Sequence, residues 1–205
     1  MTQKPVKVRT PQAERTATMR QRLSEAAFEV IKEVGYANFR TSAVSKAAGV
    51  SQGAQLHHFP TKDSLTTAAM EYAYERAHGN FLKNISGFSA SDDPLDAVIQ
   101  DAEDFFMSDH FMVALDILMA GGKNTELRDE QVRLAVASRA SVEESWVKKL
   151  IELGWQKDDA EMILSMTFCL VRGFAIKLLI SHSLSDLSPM MTQWKSMVAL
   201  LKANH

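Results

Sequence analysis

Between Thr41 and Leu65 the chain reads TSAVSKAAGVSQGAQLHHFPTKDSL, and the punctuation of that stretch leaves few folds open. Thr41 is placed as a helix N-cap, because its hydroxyl can accept a backbone N–H left free in the first turn. Val44, Ala47 and Ala48 then give that helix one apolar face. Gly49 supplies a tight turn, Val50 plugs the corner and Ser51 caps a second short helix. Pro60 stops it, since the residue before a proline avoids the α region. Thr61 caps the next helix, with Asp63 and Ser64 in its first turn. Two short helices around a glycine turn present the second one outward, as a helix-turn-helix does toward a DNA major groove.

The flanking sequence is helical throughout. Leu23, Ala26, Ala27, Val30, Ile31 and Val34 recur at i, i+3, i+4, i+7, i+8 and i+11, one continuous stripe. Gly35 ends it at a position where positive φ is cheap only for glycine. Beyond Thr61 the pattern predicts helices near 62–85, 95–108, 111–120, 126–153, 158–182 and 189–203. Gly87, Ser89, Ser91 and Pro94 mark one loop, Gly121-Gly122 another, and Gly154 ends the long helix. No segment alternates like a strand with hairpin turns. The expectation is an all-α fold of about nine helices. It divides into a basic flexible arm over 1–15 (Lys4, Lys7, Arg9, Arg15), a three-helix helix-turn-helix domain over 16–61, and a larger helical domain over 62–205.

Charge separates along the same division. The net charge of −2 is the balance of about +5 over residues 1–65 and −7 over the rest. A basic head on an acidic body fits one end meeting a polyanion, against the plainer reading of chance surface charge. The 205 residues, 46% apolar, suffice for a real core. The single cysteine, Cys169, leaves no internal disulfide and no multi-cysteine zinc site. His57 and His58 are neighbours on a helix and point about 100° apart, so no metal is expected, and no cofactor. The first residues carry charge but no apolar core of a secretory signal, so a cytoplasmic location is expected. No G-x-S-x-G, P-loop or H-E-x-x-H pattern occurs, and a thiol inside an apolar helix is usually inert; the chain does not read as an enzyme.

On the second short helix, Ser51, Gln52, Ala54 and Gln55 are expected at the exposed amino end. Glutamine can contact adenine N6 and N7 together, serine can contact several bases, and small residues let the helix lie deep. Lys62 opens the following helix, where free N–H groups already favour an anion; a lysine there makes sense if the guest is a DNA phosphate. Thr41, Ser42 and His57 are placed to hold the backbone on either side. Taken singly, each of these is an ordinary surface residue. Their order and spacing give the DNA reading its weight.

The segment from about Arg20 to Leu65 resembles the DNA-binding domain of the TetR family of bacterial transcriptional regulators. The resemblance is carried by Gly35, Tyr36, Thr41, Val44, Ala48-Gly49-Val50-Ser51, Gly53, His58-Phe59, Lys62, Asp63 and Leu65. Two positions depart from the pattern: Gln55-Leu56 stands where the family usually has Leu-Tyr, and Ser45 where alanine is usual. The missing tyrosine would reach a phosphate, and His57 is the candidate to stand in. The resemblance implies a dimeric all-α repressor whose divergent C-terminal domain binds a small molecule.

The body supports parts of that picture. Residues Ile163 to Ile180 are apolar on nearly every face, which requires burial all round. Arg172 and Lys177 inside the segment argue against a membrane span. A central helix of a single domain and a helix with a second subunit on its far side remain; the resemblance implies the latter, with Phe174, Leu178, Trp194, Met197 and Leu201 as candidate seam residues of a homodimer. A two-fold dimer suits a near-palindromic double-stranded DNA operator. Phe81, Phe105, Met112, Met119, Trp146 and Met166 are candidate walls for a small apolar or amphipathic effector, with Asp116 as a polar contact; the competing reading for each is core packing. The function expected is a ligand-responsive regulator, a repressor released by its effector. The alternatives are an activator, or a ligand-sensing helical dimer with weak DNA binding.

Overall fold

The computed structural model describes residues 12–88, 93–120, 125–181 and 187–203. Those residues form nine α-helices and one short 3₁₀ turn, with no strand among them. The helices are α1 (Gln12–Val34), α2 (Thr41–Ala47), α3 (Gln52–His58), α4 (Lys62–Gly87), α5 (Pro94–Phe106), α6 (Asp109–Ala120), α7 (Thr125–Glu152), α8 (Lys157–Ser181) and α9 (Leu187–Ala203), with the 3₁₀ turn at Tyr36–Asn38. Helix α1 begins at Gln12, so residues 12–15 are helical and not part of an arm; Lys4, Lys7, Arg9 and the Gly121-Gly122 break lie outside the described residues.

Local chemistry sets the ends of these elements. Gly35 (φ +74°) and Gly49 (φ +61°) hold left-handed conformations that close α1 and turn α2 into α3. Ser51 Oγ accepts from Ala54 N at 3.1 Å and caps α3. Thr61 and Ser64 cap α4 reciprocally, at 2.9 and 3.3 Å. Asp93 caps α5 ahead of Pro94, which suits a first helical position. Thr41 corrects its expectation: it is the first residue inside α2, Arg40 occupies the cap without a side-chain bond, and the Thr41 carbonyl accepts from Ser45 Oγ.

Helix α4 joins the two halves of the molecule. Its first part packs on α1, where Leu23, Ala27, Ile31, Phe39, Val44, Phe59 and Leu65 make the core of the head. Its remainder packs against α5, α6 and α7, within a core that includes Phe81, Phe105, Ile117, Trp146, Ile163 and Phe168. The two cores are continuous.

Helix α8 differs from the all-round burial its sequence suggests. Ile163, Leu164, Thr167, Phe168, Val171, Phe174 and Ala175 face inward, whereas Met162, Met166, Cys169 and Ile180 are exposed. By length and composition α8 is apolar enough to cross a membrane, but it lays one face into the helical core. Of the candidate seam residues, Phe174 and Trp194 are buried inside the protomer, and Trp194 Nε1 donates to Thr167 Oγ1 at 2.9 Å. Leu178 is half-buried; Met197 (51% exposed) and Leu201 (42%) are on the outside.

Candidate nucleic-acid interface and interior site

The head exposes the amino end of α3 as its spacing predicts. Ser51 and Gln52 are exposed, Ala54 is half-buried and Gly53 adds no side chain between them. Around them Ser42 and His57 are exposed and Thr41 is half-buried. Ser51, Gln52 and Gly53 thus put small or polar groups on an exposed helix end. Such a surface admits close approach to base edges and offers hydroxyl and amide groups for them.

Gln55 does not belong to that surface. It is 1% exposed, and its Nε2 donates to the Phe59 carbonyl at 2.8 Å. The amide therefore ties off the carboxy end of α3 and is not free to read a base. The signal for this was the apolar residue that the TetR pattern carries at the same position, which marks an inward face. Leu56, the neighbour that replaces the usual tyrosine, is 51% exposed. Arg20 reinforces the same corner: its Nη1 donates to the His58 carbonyl at 2.8 Å while its guanidinium lies 4.2 Å from the Phe59 ring centre.

His57 and His58 meet edge to face, 5.2 Å between ring centres. Burial first, then the charges of His57 and Arg20, press the His58 imidazole below its ordinary pKa, so it is neutral at pH 7. No group of three or more histidine, cysteine or acidic side chains that could hold a metal occurs among the described residues. Lys62 Nζ rests 4.6 Å from the Tyr36 ring centre and 5.5 Å from that of Phe39. Its charge is held beside the start of α4 by two aromatic faces.

Head and body meet where Asp116 of α6 reaches the 3₁₀ turn. Asp116 Oδ2 accepts the Tyr36 backbone N–H at 2.7 Å, and Lys32 pairs with Asp109 at 2.8 Å nearby. The acceptor function of Asp116 is thus spent on the head, and the residue is not among those around the aromatic interior.

That interior gathers three of the candidate effector residues. Phe81 and Trp146 meet edge to face at 6.3 Å, and Phe105 stacks with Tyr74 at 6.2 Å. Met112 is half-buried. Met119 (77% exposed) and Met166 (45%) are on the surface and line no part of it. Burial raises the Tyr74 hydroxyl to about 12, so it stays protonated. Two residues not anticipated from sequence lie at the centre. Asp101 is buried and accepts from Trp146 Nε1 at 3.1 Å; burial holds its pKa above the ordinary value, against the opposing Trp146 bond and Arg139 charge. Arg139 lies over Phe105 at 4.4 Å and Phe168 at 4.7 Å. Both occupy helix positions facing the core, which is the signal that could have found them: Arg139 is seven residues before Trp146. The free space there is about 10 Å³, bounded by Ala77, Asn80, Phe81 and Asn84 of α4 together with Asp101, Phe105 and Arg139. A larger groove of about 660 Å³ runs on the outside between α7 and α8, past Val147, Ile151 and Leu164. None of the candidate effector residues lines it.

A helix-turn-helix head on an all-helical body with an aromatic interior defines a class of DNA-binding regulator, and known proteins agree. The family model for bacterial regulatory proteins of the tetR family matches residues 23–69. The chain is 39% identical to the HTH-type transcriptional regulator CymR of Pseudomonas putida, over 82% of this chain and 83% of that one. The chain therefore belongs to the tetR family of HTH-type transcriptional regulators. Among solved structures, a transcriptional regulator of Saccharomonospora viridis in complex with choline superposes with TM-score 0.69 at 18% identity, over 89% of this chain and 96% of that one. FadR of Bacillus subtilis in complex with stearoyl-CoA gives 0.62 at 17%, over 86% and 96%. These two share the fold.

Proposed function

We propose that this regulator is a homodimeric, cytoplasmic repressor that leaves its operator when a small apolar or amphipathic molecule enters the body. The observation that carries the reading is the path of α4. It begins at Lys62, directly after the helix-turn-helix, and continues without a break to Phe81 and Asn84 in the wall of the aromatic interior. The interior has almost no free volume, so a guest must displace part of that wall and with it the helix that supports the head. The choline and stearoyl-CoA complexes of two structural relatives support the presence of a small-molecule site. The apolar residues left exposed on α8 and α9, among them Met162, Met166, Met197, Leu200 and Leu201, support a second protomer there. Two α3 helices related by a two-fold axis would then enter successive major grooves of a near-palindromic double-stranded operator.

The ligand must favour the non-binding arrangement, by roughly 1–3 kcal/mol of coupling in such systems. The test is a gel-shift titration on the promoter region beside the protein's own gene, with and without candidate small molecules. Specific binding lost on adding one of them is the expected result. A complex that no small molecule separates would leave a DNA-binding protein without the switch.

A further inference from the structure

Resting on the reading that the body holds an effector, we propose that this effector is a carboxylate on an apolar frame, held by Arg139. The Nε–H and Nη2–H edge of the guanidinium takes the two carboxylate oxygens, while Phe105 and Phe168 wall the frame.

Helix α7 turns a buried stripe toward the core through Leu127, Gln131, Val142, Trp146 and Leu150. Arg139 falls on that stripe, between Gln131 and Trp146. The guanidinium has its carbon over the Phe105 and Phe168 rings, 4.4 and 4.7 Å from their centres. Two of its nitrogens, Nε and Nη2, are buried and make no hydrogen bond. In a guanidinium those two N–H groups lie along one edge and run parallel, at the spacing of the two oxygens of a carboxylate. Asp101 does not fill that edge, and its Oδ2 accepts from Trp146. Desolvation presses the Arg139 pKa down, against the charges of Asp101 and Glu143.

A cation buried with two unmade hydrogen bonds is costly to keep in a folded protein. The cost is recovered when a complementary anion binds. Carboxylate fits the fork better than phosphate: it is planar and carries a single charge, in a place where Asp101 is close to Arg139 and Arg172 is the second cation. A second polar group extends the argument. Gln131 is fully buried, with neither its amide oxygen nor its amide nitrogen partnered. It lies eight residues earlier on the same stripe, about 12 Å along the helix. The inward side of α7 therefore holds two unsatisfied polar side chains, the few polar groups expected in the lining of a ligand site. With only about 10 Å³ free beside Arg139, binding requires α4 and α7 to part.

The test uses purified full-length protein and three acid–amide pairs: benzoate with benzamide, phenylacetate with phenylacetamide, and hexanoate with hexanamide. Binding is read by the rise in Tm and by tryptophan fluorescence. At least one acid is expected to bind about tenfold or more tightly than its amide, the scale of a charge-assisted bidentate contact. Arg139→Gln should bring that ratio close to one; Arg139→Lys, which keeps the charge and loses the fork, should leave a reduced ratio. Amides that bind as well as their acids, no binding by any of the acids, or a ratio unchanged in Arg139→Gln would each overturn the proposal. If the glutamine variant does not fold, the acid-to-amide ratio of the natural protein decides alone. Operator release is measured separately. An acid that binds through Arg139 without releasing DNA sinks the switch and keeps the anchor; an amide or amine that releases DNA without any acid binding does the reverse.

Discussion

Removing the Asp116 carboxylate tests how rigidly the head is held on the body. Its Oδ2 accepts the Tyr36 N–H at 2.7 Å, joining residues eighty positions apart in sequence. Asp116→Ala deletes the acceptor and leaves that N–H in a part-buried place. A hydrogen bond to a charged group contributes roughly 1.5–3 kcal/mol, and partial exposure of this one brings the expectation to about 1–2 kcal/mol. In a chain of this size each kcal/mol shifts Tm by about 2–4 °C, so a fall of roughly 2–8 °C is expected in a thermal melt. The Lys32–Asp109 pair beside it is exposed and salt-screened, and will not compensate. If the effector-bound arrangement moves α6 away from the 3₁₀ turn, this bond is one that it breaks. Its loss therefore also changes the balance between arrangements, by about 5–30-fold in population. The effector concentration at half-release in a fluorescence-anisotropy titration should move by a similar factor. Asp116→Asn keeps an acceptor oxygen and should show smaller changes in both measurements. An Asp116→Ala protein with unaltered Tm and unaltered half-release concentration would refute the reasoning.

Gln52→Ala should relax preference at a single base position, by roughly 1–3 kcal/mol against the best base, whereas Lys62→Ala should weaken binding on specific and random DNA alike and reduce its salt dependence; equal losses on both DNAs for Gln52→Ala would remove it as a base reader. Asp101 has a folded-state pKa above its unfolded value because burial favours the neutral acid. The native state thus holds more protons than the unfolded chain between those two values, and stability should fall as pH rises through that window. Denaturant melts across pH 4 to 8 should show that fall in the natural protein and a flatter profile in Asp101→Asn. Leu200→Glu places a charge on the exposed apolar face of α9 and should convert a dimer to monomer in sedimentation, with loss of specific operator binding; a dimer that persists would locate the interface elsewhere.

The helices of this protein were legible because their ends are written in side chains with a single local job. Ser51, Thr61, Gly35 and Gly49 act within three or four residues of themselves, so sequence order is enough to read them. The interior was less legible for a reason of the same kind. Arg139 and Asp101 are polar residues on inward stripes, and their significance depends on what three other helices place against them. Phe174 and Trp194 show the limit of composition: a large apolar residue on a terminal helix reads equally as seam or core, and both are inside the protomer, Trp194 with a bond to Thr167 of α8. Gln55 was misplaced because a glutamine on a recognition helix suggests a base contact. Only its alignment with Phe59, one turn on, reveals that its amide closes the helix end.

Helix α4 has a mechanical consequence that follows from its length alone. Its 26 residues form one unbroken rod, about 39 Å long at 1.5 Å per residue. Lys62 and Phe81 sit near opposite ends, about 28 Å apart on the same measure. A tilt of only about 5° pivoting at Phe81 would swing the Lys62 end through about 2.5 Å, by the geometry of that rise. A base-edge hydrogen bond spans only about 3 Å, so a swing of that size at the Lys62 end is enough to break one.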